Sequence, residues 1–162
     1  MDQLRHHVVM GVAGCGKTTV GEALAATLGV PFADADDFHS AAARASMAAG
    51  IPLTDADRWP WLERLVAWLD EHQSGSVLAC SALRRTYRDR LRTASAPVVF
   101  AELDVAPAVL RERMAQRVGH YMPVALLESQ LATLEPLAAD EGVRLDGTLP
   151  VPDLVTAILE AD

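Results

Sequence analysis

The sequence predicts an α/β fold of three layers, in which helices cover both faces of a parallel, five-stranded sheet. Two observations lead to this prediction. Short β-branched or apolar segments alternate with segments of helical spacing along almost the whole chain. Helices of this length between consecutive strands are typical of parallel pairing. The 162 residues contain no internal repeat and no linker, so we expect one domain over residues 1–162.

The predicted strands are short apolar segments bounded by turn residues, and they cover residues 6–11, 31–35, 76–81, 97–104 and 143–146. The predicted helices cover residues 17–28, 39–49, 60–73, 84–93, 107–116, 123–134 and 151–160. Gly29 ends the first helix, as glycine commonly does. Pro60 is expected just inside the start of the third helix, a position that favours proline.

Composition excludes several classes of protein. With 51% apolar and 22% charged residues, the chain is not disordered, and no stretch approaches the roughly 20 apolar residues of a membrane-spanning helix. Residues 1–11 lack the pattern of a secretion signal, so we expect a cytoplasmic protein without a membrane partner. Because 22 acidic residues outnumber 14 basic ones, nucleic acid is not an expected partner either.

The basic residues favour a small anionic ligand. Lys17 is the only lysine, and many of the arginines fall between Arg84 and Arg117. The planar arginine side chain suits phosphate and carboxylate groups, although a GC-rich genome would also replace lysine by arginine. Cys15 and Cys80 match no zinc or redox spacing and are expected to be reduced thiols.

A complete phosphate-binding motif, G-x-x-x-x-G-K-[ST], follows the first predicted strand and opens the first predicted helix. Its glycines allow backbone angles that turn successive N–H groups toward phosphate oxygens, and the start of the helix adds its positive end. Lys17 is expected to reach the β- and γ-phosphates of a nucleotide, and the Thr18 hydroxyl to hold Mg²⁺. The predicted nucleotide site comprises Gly11, Val12, Ala13, Gly14, Cys15, Gly16, Lys17, Thr18 and Thr19.

Acidic residues follow the second predicted strand, at the edge of the sheet where open α/β folds bind ligands. An aspartate at this edge can orient a hydroxyl nucleophile, accept its proton, or help to hold Mg²⁺ through water. We expect Asp36 to act in this way. Asp37 is expected to be a solvated residue that caps the following helix.

The chain resembles the gluconokinases of the small P-loop type, which are related to shikimate and adenylate kinases, over nearly its whole length. Besides the phosphate motif, the resemblance rests on DADDFH at 34–39, GIPLTDADRWPWL at 50–62, CSALRRTYRD at 80–89, RVGHYM at 117–122 and SQLATLEP at 129–136. The segments around Asp57 and Ser81 are specific to gluconokinases among these relatives.

This resemblance implies a nucleoside-kinase-like P-loop fold with a helical lid, and a homodimer that uses ATP and Mg²⁺. The implied reaction transfers the γ-phosphoryl group to the 6-hydroxyl of D-gluconate. Asp36 would orient that hydroxyl, and His39, Arg58 and His120 would contact the acceptor. Arg58 would project from a loop before the helix at Pro60, with an ion pair to Asp55 or Asp57 as the alternative.

The family resemblance also implies ligand-binding roles for two pairs of arginines. Arg84 and Arg85 follow the third strand, and one of them would bind the acceptor carboxylate, whereas Arg88 is expected to be a solvated helix residue. Arg113 and Arg117 lie four residues apart on one helix face, before the candidate hinge Gly119. They would contact the ATP phosphates or stack on adenine as the lid closes, and stabilise the transferring phosphoryl group. Surface pairing with Glu112 or other acids is the alternative.

Five positions depart from the family pattern. The family usually has glycine at Ala35, serine at Cys15, and often proline, asparagine and lysine at Ser40, Ala43 and Ser46. The last three lie in the helix expected beside the acceptor, so they bear on the choice of acceptor. Two alternatives therefore stay open: a kinase of the same fold for another small hydroxylated acceptor such as shikimate or a nucleoside monophosphate, and a nucleotide-binding regulator that transfers no phosphate.

Overall fold

The computed structural model describes residues 4–116 and 124–162 of the chain. Within these residues one sheet of five strands has the order β2-β3-β1-β4-β5. All four neighbouring pairs are parallel, which confirms the predicted parallel, five-stranded sheet. The strands are β1 (His6–Met10), β2 (Phe32–Asp34), β3 (Ser76–Ala79), β4 (Val98–Asp104) and β5 (Gly142–Asp146).

Helices connect the strands, and a short 3₁₀ helix at Ala35–Phe38 follows β2. The predicted ranges of the first, fifth and last α-helix agree with the structure, and most of the others differ only at their ends. No helix in the described part of the chain is long and apolar enough to cross a membrane. The α-helices are α1 (Lys17–Leu28), α2 (Ala41–Ala48), α3 (Asp55–Glu71), α4 (Arg85–Leu91), α5 (Pro107–Gln116), α6 (Val124–Thr133) and α7 (Val151–Glu160).

The start of α3 differs from the prediction. The helix begins at Asp55, five residues before Pro60, so the expectation that Pro60 marks its start is wrong. The Asp57 amide donates to Thr54 Oγ1 at 3.2 Å, and the Thr54 amide donates to the Asp57 carboxylate at 3.0 Å. This capping box satisfies two amides that would otherwise lack partners. The helix continues through Pro60 although that residue has no N–H and one backbone hydrogen bond is lost. Arg58 consequently lies in the first turn of α3, not in a preceding loop.

The core surrounds β1, in which all five residues are buried. The faces of the sheet are covered by apolar side chains from several helices. Both cysteines are free thiols, as expected, and both are buried. Burial raises the pKa of the Cys80 thiol to about 12, so this thiol is protonated at neutral pH. Fully buried helical residues include Leu24, Leu62, Leu65, Leu69, Leu110 and Leu154.

Arg88 of α4 is buried, so the expectation that it is a solvated helix residue is wrong. It is only 1% exposed, and its Nε lies 2.8 Å from Oε1 of the equally buried Glu141. Pairing with a carboxylate offsets part of the cost of removing the guanidinium from water. Tyr87 and Leu91 on the same helix are also buried, so α4 presents this side to the protein interior.

We predict that Thr54→Ala lowers the free energy of unfolding by about 1 kcal/mol, because the capping box of α3 loses its hydroxyl acceptor. Urea unfolding followed by tryptophan fluorescence measures this change. Thr54→Ser is the matched control, since it keeps the hydroxyl and should retain most of the wild-type stability. An equal loss in the serine variant would contradict a capping role.

Candidate active site

The order of the strands places the candidate active site at the middle of one sheet edge. Because all strands are parallel, the loops after β1, β2, β3 and β4 emerge at the same edge. The chain passes from β3 across β1 to β4, so β1 lies at the switch point where open α/β sheets bind ligands. The loop that follows β1 is the phosphate-binding motif, in the strand–loop–helix context that the sequence predicts.

The phosphate loop ends in an N-cap that leaves the first amides of α1 without a side-chain cap. Gly16 is the N-cap of α1, has a φ of 95°, and forms no side-chain cap for the amides of the first turn. A Cβ atom at Gly11, whose φ is 146°, would lie 2.7 Å from the Cys15 sulfur, so this tight turn requires glycine. The uncapped amides and the positive end of α1 form a site suited to phosphate oxygens.

Two oxygen-bearing side chains, those of Thr18 and Asp34, meet at the first turn of α1, and the backbone of Asp36 is bonded to the second of them. Thr18 Oγ1 donates to Asp34 Oδ2 at 2.9 Å, and Asp34 Oδ1 accepts the Asp36 amide at 2.9 Å. Hydroxyl and carboxylate oxygens are donors that Mg²⁺ prefers, so this set fits the expected ion. The sequence analysis gave Asp34 no role of its own. Its place as the last residue of β2, beside the phosphate loop, is the signal that could have identified it.

A cleft brings four predicted site residues with polar side chains together, namely Lys17, Asp36, His39 and Arg58, and Ala13 of the predicted nucleotide site also lines it. The four polar residues come from the first turn of α1, the 3₁₀ helix, the residue that follows it and the first turn of α3. Sequence reasoning missed two polar residues of this cleft, Ser81 and Gln130, although both lie in segments that carry the family resemblance. The remaining wall is formed by Met47, Leu53, Trp61, Leu83 and Leu126.

Asp36 has a perturbed carboxyl group. Desolvation raises the pKa of Asp36 above its ordinary value, the Lys17 ammonium opposes this shift, and the charges of Asp34 and Asp37 add to it. The side chain is still 63% exposed to the open cleft, and the surrounding water limits the size of the shift. A carboxylate with a raised pKa is a better proton acceptor, which is the property a general base needs.

His39 is a buried, uncharged neighbour of Asp36. Its side chain is 4% exposed, its ring stacks on Trp61 with centroids 4.4 Å apart, and its Nε2 lies 3.9 Å from Asp36 Oδ1. Burial, together with the positive charges of Arg64 and Arg44, lowers the pKa of His39 to about 4. The imidazole is therefore neutral at physiological pH and can donate or accept a hydrogen bond.

Arg58 enters the cleft from α3, and its guanidinium group is held by hydrogen bonding. Its Nη1 donates to the Tyr87 hydroxyl at 3.0 Å, and this hydroxyl donates to Asp55 Oδ1 at 2.5 Å. Arg58 also lies 3.8 Å from Asp55, so the ion pair considered as an alternative exists beside the position in the cleft. With a side chain 15% exposed, the guanidinium is a fixed cation in the wall of the cleft.

Neither Arg84 nor Arg85 is brought to the cleft by the described structure. Arg84 is exposed at the N-cap of α4. Arg85 turns toward the segment before β5, where its Nη2 lies 2.6 Å from Asp140 Oδ2. The end of β3 instead contributes Ser81 and Leu83 to the cleft.

Two helices contact the phosphate loop from the side of β4. Arg113 Nη1 of α5 donates to the Gly14 carbonyl at 3.0 Å, which places its guanidinium at the loop. Gln130 Oε1 of α6 accepts the Ala13 amide at 2.8 Å. The remaining predicted site residues Arg117 and His120, and the predicted lid hinge Gly119, lie outside the described residues.

The sequence matches the family described as Shikimate kinase over residues 13–135. Among proteins of known name, a gluconokinase of Gluconobacter oxydans is 48% identical over 155 residues. That match covers 93% of this chain and 86% of the relative. The similarity therefore extends well beyond the phosphate motif.

Two solved structures are similar over nearly the whole chain. An unliganded sugar kinase from a Janibacter species is 49% identical with a TM-score of 0.91, covering 98% of this chain and 94% of that one. A gluconokinase from Sinorhizobium meliloti is 42% identical with a TM-score of 0.89, covering 99% and 93%. The P-loop kinase fold implied by the sequence resemblance is confirmed.

We predict that His39 contributes to the pH dependence of folding. Its pKa is about 4 in the folded chain and 6.5 as an ordinary value, so only the unfolded state binds this proton between these values. The contribution of His39 to stability is therefore lost as the pH falls from about 6.5 toward 4. Urea unfolding across this range should show a steeper loss in the wild type than in His39→Gln. An NMR titration of His39 with an ordinary midpoint would contradict the prediction.

Proposed function

The chain belongs to the gluconokinases, within the family described as Shikimate kinase, and we propose that it transfers the γ-phosphoryl group of ATP to the 6-hydroxyl of D-gluconate. The products are 6-phospho-D-gluconate and ADP. The observation that carries the proposal is the cleft in which Lys17, Asp36 and Arg58 meet beside the uncapped amides of the phosphate loop. We further propose that the enzyme is cytoplasmic, as expected from its N-terminal sequence, and a homodimer, as the family resemblance implies.

The phosphate loop and α1 form the nucleotide side of the proposed site. The loop from Gly11 to Thr19 surrounds the phosphates, and Lys17 contacts the β- and γ-phosphate oxygens. Arg113, which already touches the loop at Gly14, stabilises the transferring group together with Arg117. Thr18 and Asp36, with Asp34 between them, would hold Mg²⁺. When bound, the ion neutralises charge on the phosphate oxygens.

The acceptor side of the proposed site supplies a base and hydrogen-bond donors. Asp36 orients the 6-hydroxyl and takes its proton while the hydroxyl oxygen bonds to the γ-phosphorus and the bond from that phosphorus to ADP breaks. His39 is neutral and hydrogen-bonds to a hydroxyl of the acceptor. His120 has the same role by family resemblance.

We assign the acceptor carboxylate to Arg58 in preference to Arg84 or Arg85. Arg58 lines the cleft and is held by Tyr87, whereas Arg85 pairs with Asp140. A planar guanidinium can form two parallel hydrogen bonds to a carboxylate, which fixes one end of a flexible sugar acid. With its carboxylate bound in this way, gluconate directs its opposite end, which carries the 6-hydroxyl, toward Asp36.

Three departures from the family pattern fall in or before α2 without removing the features that the acceptor side needs. The Ser40 hydroxyl accepts the Ala43 amide at 3.1 Å and so caps α2. Met47 of the same helix lines the cleft, but Ser40, Ala43 and Ser46 do not. These three departures therefore leave the lining of the cleft unchanged.

We predict that purified protein with ATP and Mg²⁺ releases ADP when D-gluconate is present and not with shikimate, AMP or no acceptor. A coupled assay of ADP measures this directly. Release with shikimate or AMP alone would favour another acceptor. ATP binding without release in any of the four reactions would favour a nucleotide-binding regulator.

We predict that Asp36→Asn lowers kcat by about 100-fold or more, the usual effect of losing a general base, while ATP binding changes little. The assay above gives kcat, and calorimetry gives the affinity for ATP. Asp37→Asn is the matched control, because Asp37 is the adjacent exposed aspartate, does not line the cleft and acts on Asp36 only through its charge. Equal activity in the two variants would show that another group accepts the proton.

A further inference from the structure

The turn after β3 contains a strained residue at the wall of the cleft. Ala82 has a φ of 45°, and it is the one non-glycine residue with positive φ in the described ranges. A side chain disfavours this left-handed conformation, which persists only where the surroundings hold it. The residues on either side, Ser81 and Leu83, both line the cleft. The conformation of Ala82 therefore determines how the side chains of Ser81 and Leu83 are oriented relative to the cleft.

Contacts from two other segments hold this turn. Arg88, which lies in α4, donates from its Nη1 to the carbonyl oxygen of Ala82 at 2.8 Å. The carbonyl of Leu83 accepts the Glu135 amide at 2.7 Å. The first contact acts on the strained peptide itself, and it comes from a buried charge.

The buried charge of Arg88 is paired on its other side. Its Nε and Nη2 donate to Glu141 Oε1 and Oε2 at 2.8 and 3.2 Å, and the Glu141 side chain is 0% exposed. Glu141 is oriented by the Ala138 amide, which donates to Oε2 at 3.0 Å. A buried ion pair gains little net stability over apolar residues of the same size, because both charges lose their water. Its geometric effect on Ala82 supplies a reason for its presence.

We propose that the Arg88–Glu141 pair holds Ala82 in the left-handed conformation and thereby places Ser81 and Leu83 against the acceptor. Arg88 is thus a positioning residue for acceptor binding, an inference that rests on the proposed function of the cleft. The phosphate loop is held by different contacts, from Arg113 and Gln130, so binding of ATP should not depend on Arg88.

The test separates this role from a merely structural one by relieving the strain. Arg88→Met alone would remove the closest partner of the buried Glu141 carboxylate and leave it only Arg92 at 3.5 Å and Arg85 at 3.9 Å. We therefore combine it with Glu141→Gln, which keeps an acceptor for the Ala138 amide. A third substitution, Ala82→Gly, makes the left-handed conformation accessible without help from Arg88. Arg90→Met is the control, because it removes an ion pair of α4 with Glu63 that is exposed to solvent.

The double variant should raise the KM for gluconate about tenfold and leave the KM for ATP within about twofold of the wild type. Adding Ala82→Gly should restore the KM for gluconate to within about threefold of the wild type, and Arg90→Met should behave as the wild type. An unchanged KM for gluconate in the double variant would overturn the inference. So would equal changes in both KM values, or no recovery with Ala82→Gly.

Thermal unfolding of each variant shows whether it folds. If the double variant does not fold, Arg88→Lys replaces it, because lysine keeps a cation beside Glu141 but cannot bond to both Glu141 and the Ala82 carbonyl in the same way. The same changes in KM are expected, with the same recovery. A wild type without gluconate-dependent ADP release would count against the proposed function only. An active wild type with unaffected variants would count against the role of Arg88 only.

Discussion

The parallel pairing of β1 with β3 and β4 sets the positions of the loops that form the candidate site. Val8 is the register partner of both Leu78 and Phe100, so β1 is fixed from both sides. Parallel strands end at the same edge of a sheet, and the loops that follow them are therefore neighbours. The phosphate loop lies in the middle, with acidic residues of the β2 side and Arg113 of the β4 side within reach.

The two halves of the candidate site are supported by different helices. On the nucleotide side, α5 and α6 contact the phosphate loop through Arg113 and Gln130. On the acceptor side, α3 carries Arg58, and α4 supplies two contacts. Tyr87 of α4 holds Arg58, and Arg88 of α4 holds the turn after β3. The two sides meet in the cleft, which Gln130 of α6 and Lys17 of α1 line together with Arg58. Although the whole chain has a net charge of −8, the cations Lys17 and Arg58 lie in the cleft, where two anionic ligands would meet.

Local sequence patterns predict the parts of the site that depend on neighbouring residues. The phosphate motif predicts Lys17 and Thr18 correctly at the start of α1, because strand, glycine turn and helix are contiguous in the chain. Position after β2 likewise predicts Asp36 at the sheet edge. The prediction that Pro60 marks the start of α3 is wrong, because the capping box of Thr54 and Asp57 starts the helix five residues earlier. That cap, not the proline, determines that Arg58 projects from a helix.

The alternation of strands and helices, the phosphate loop and the family can be read from the sequence alone, because periodicity and motif are local properties. The partner of each arginine, in contrast, depends on the folded chain. Arg58 enters the cleft, Arg85 pairs with Asp140, and Arg88 pairs with Glu141, which is 53 residues further along the chain. An arginine side chain is long and suits any carboxylate or carbonyl within its reach. Its role therefore depends on which groups folding brings near it, and no spacing in the sequence specifies that.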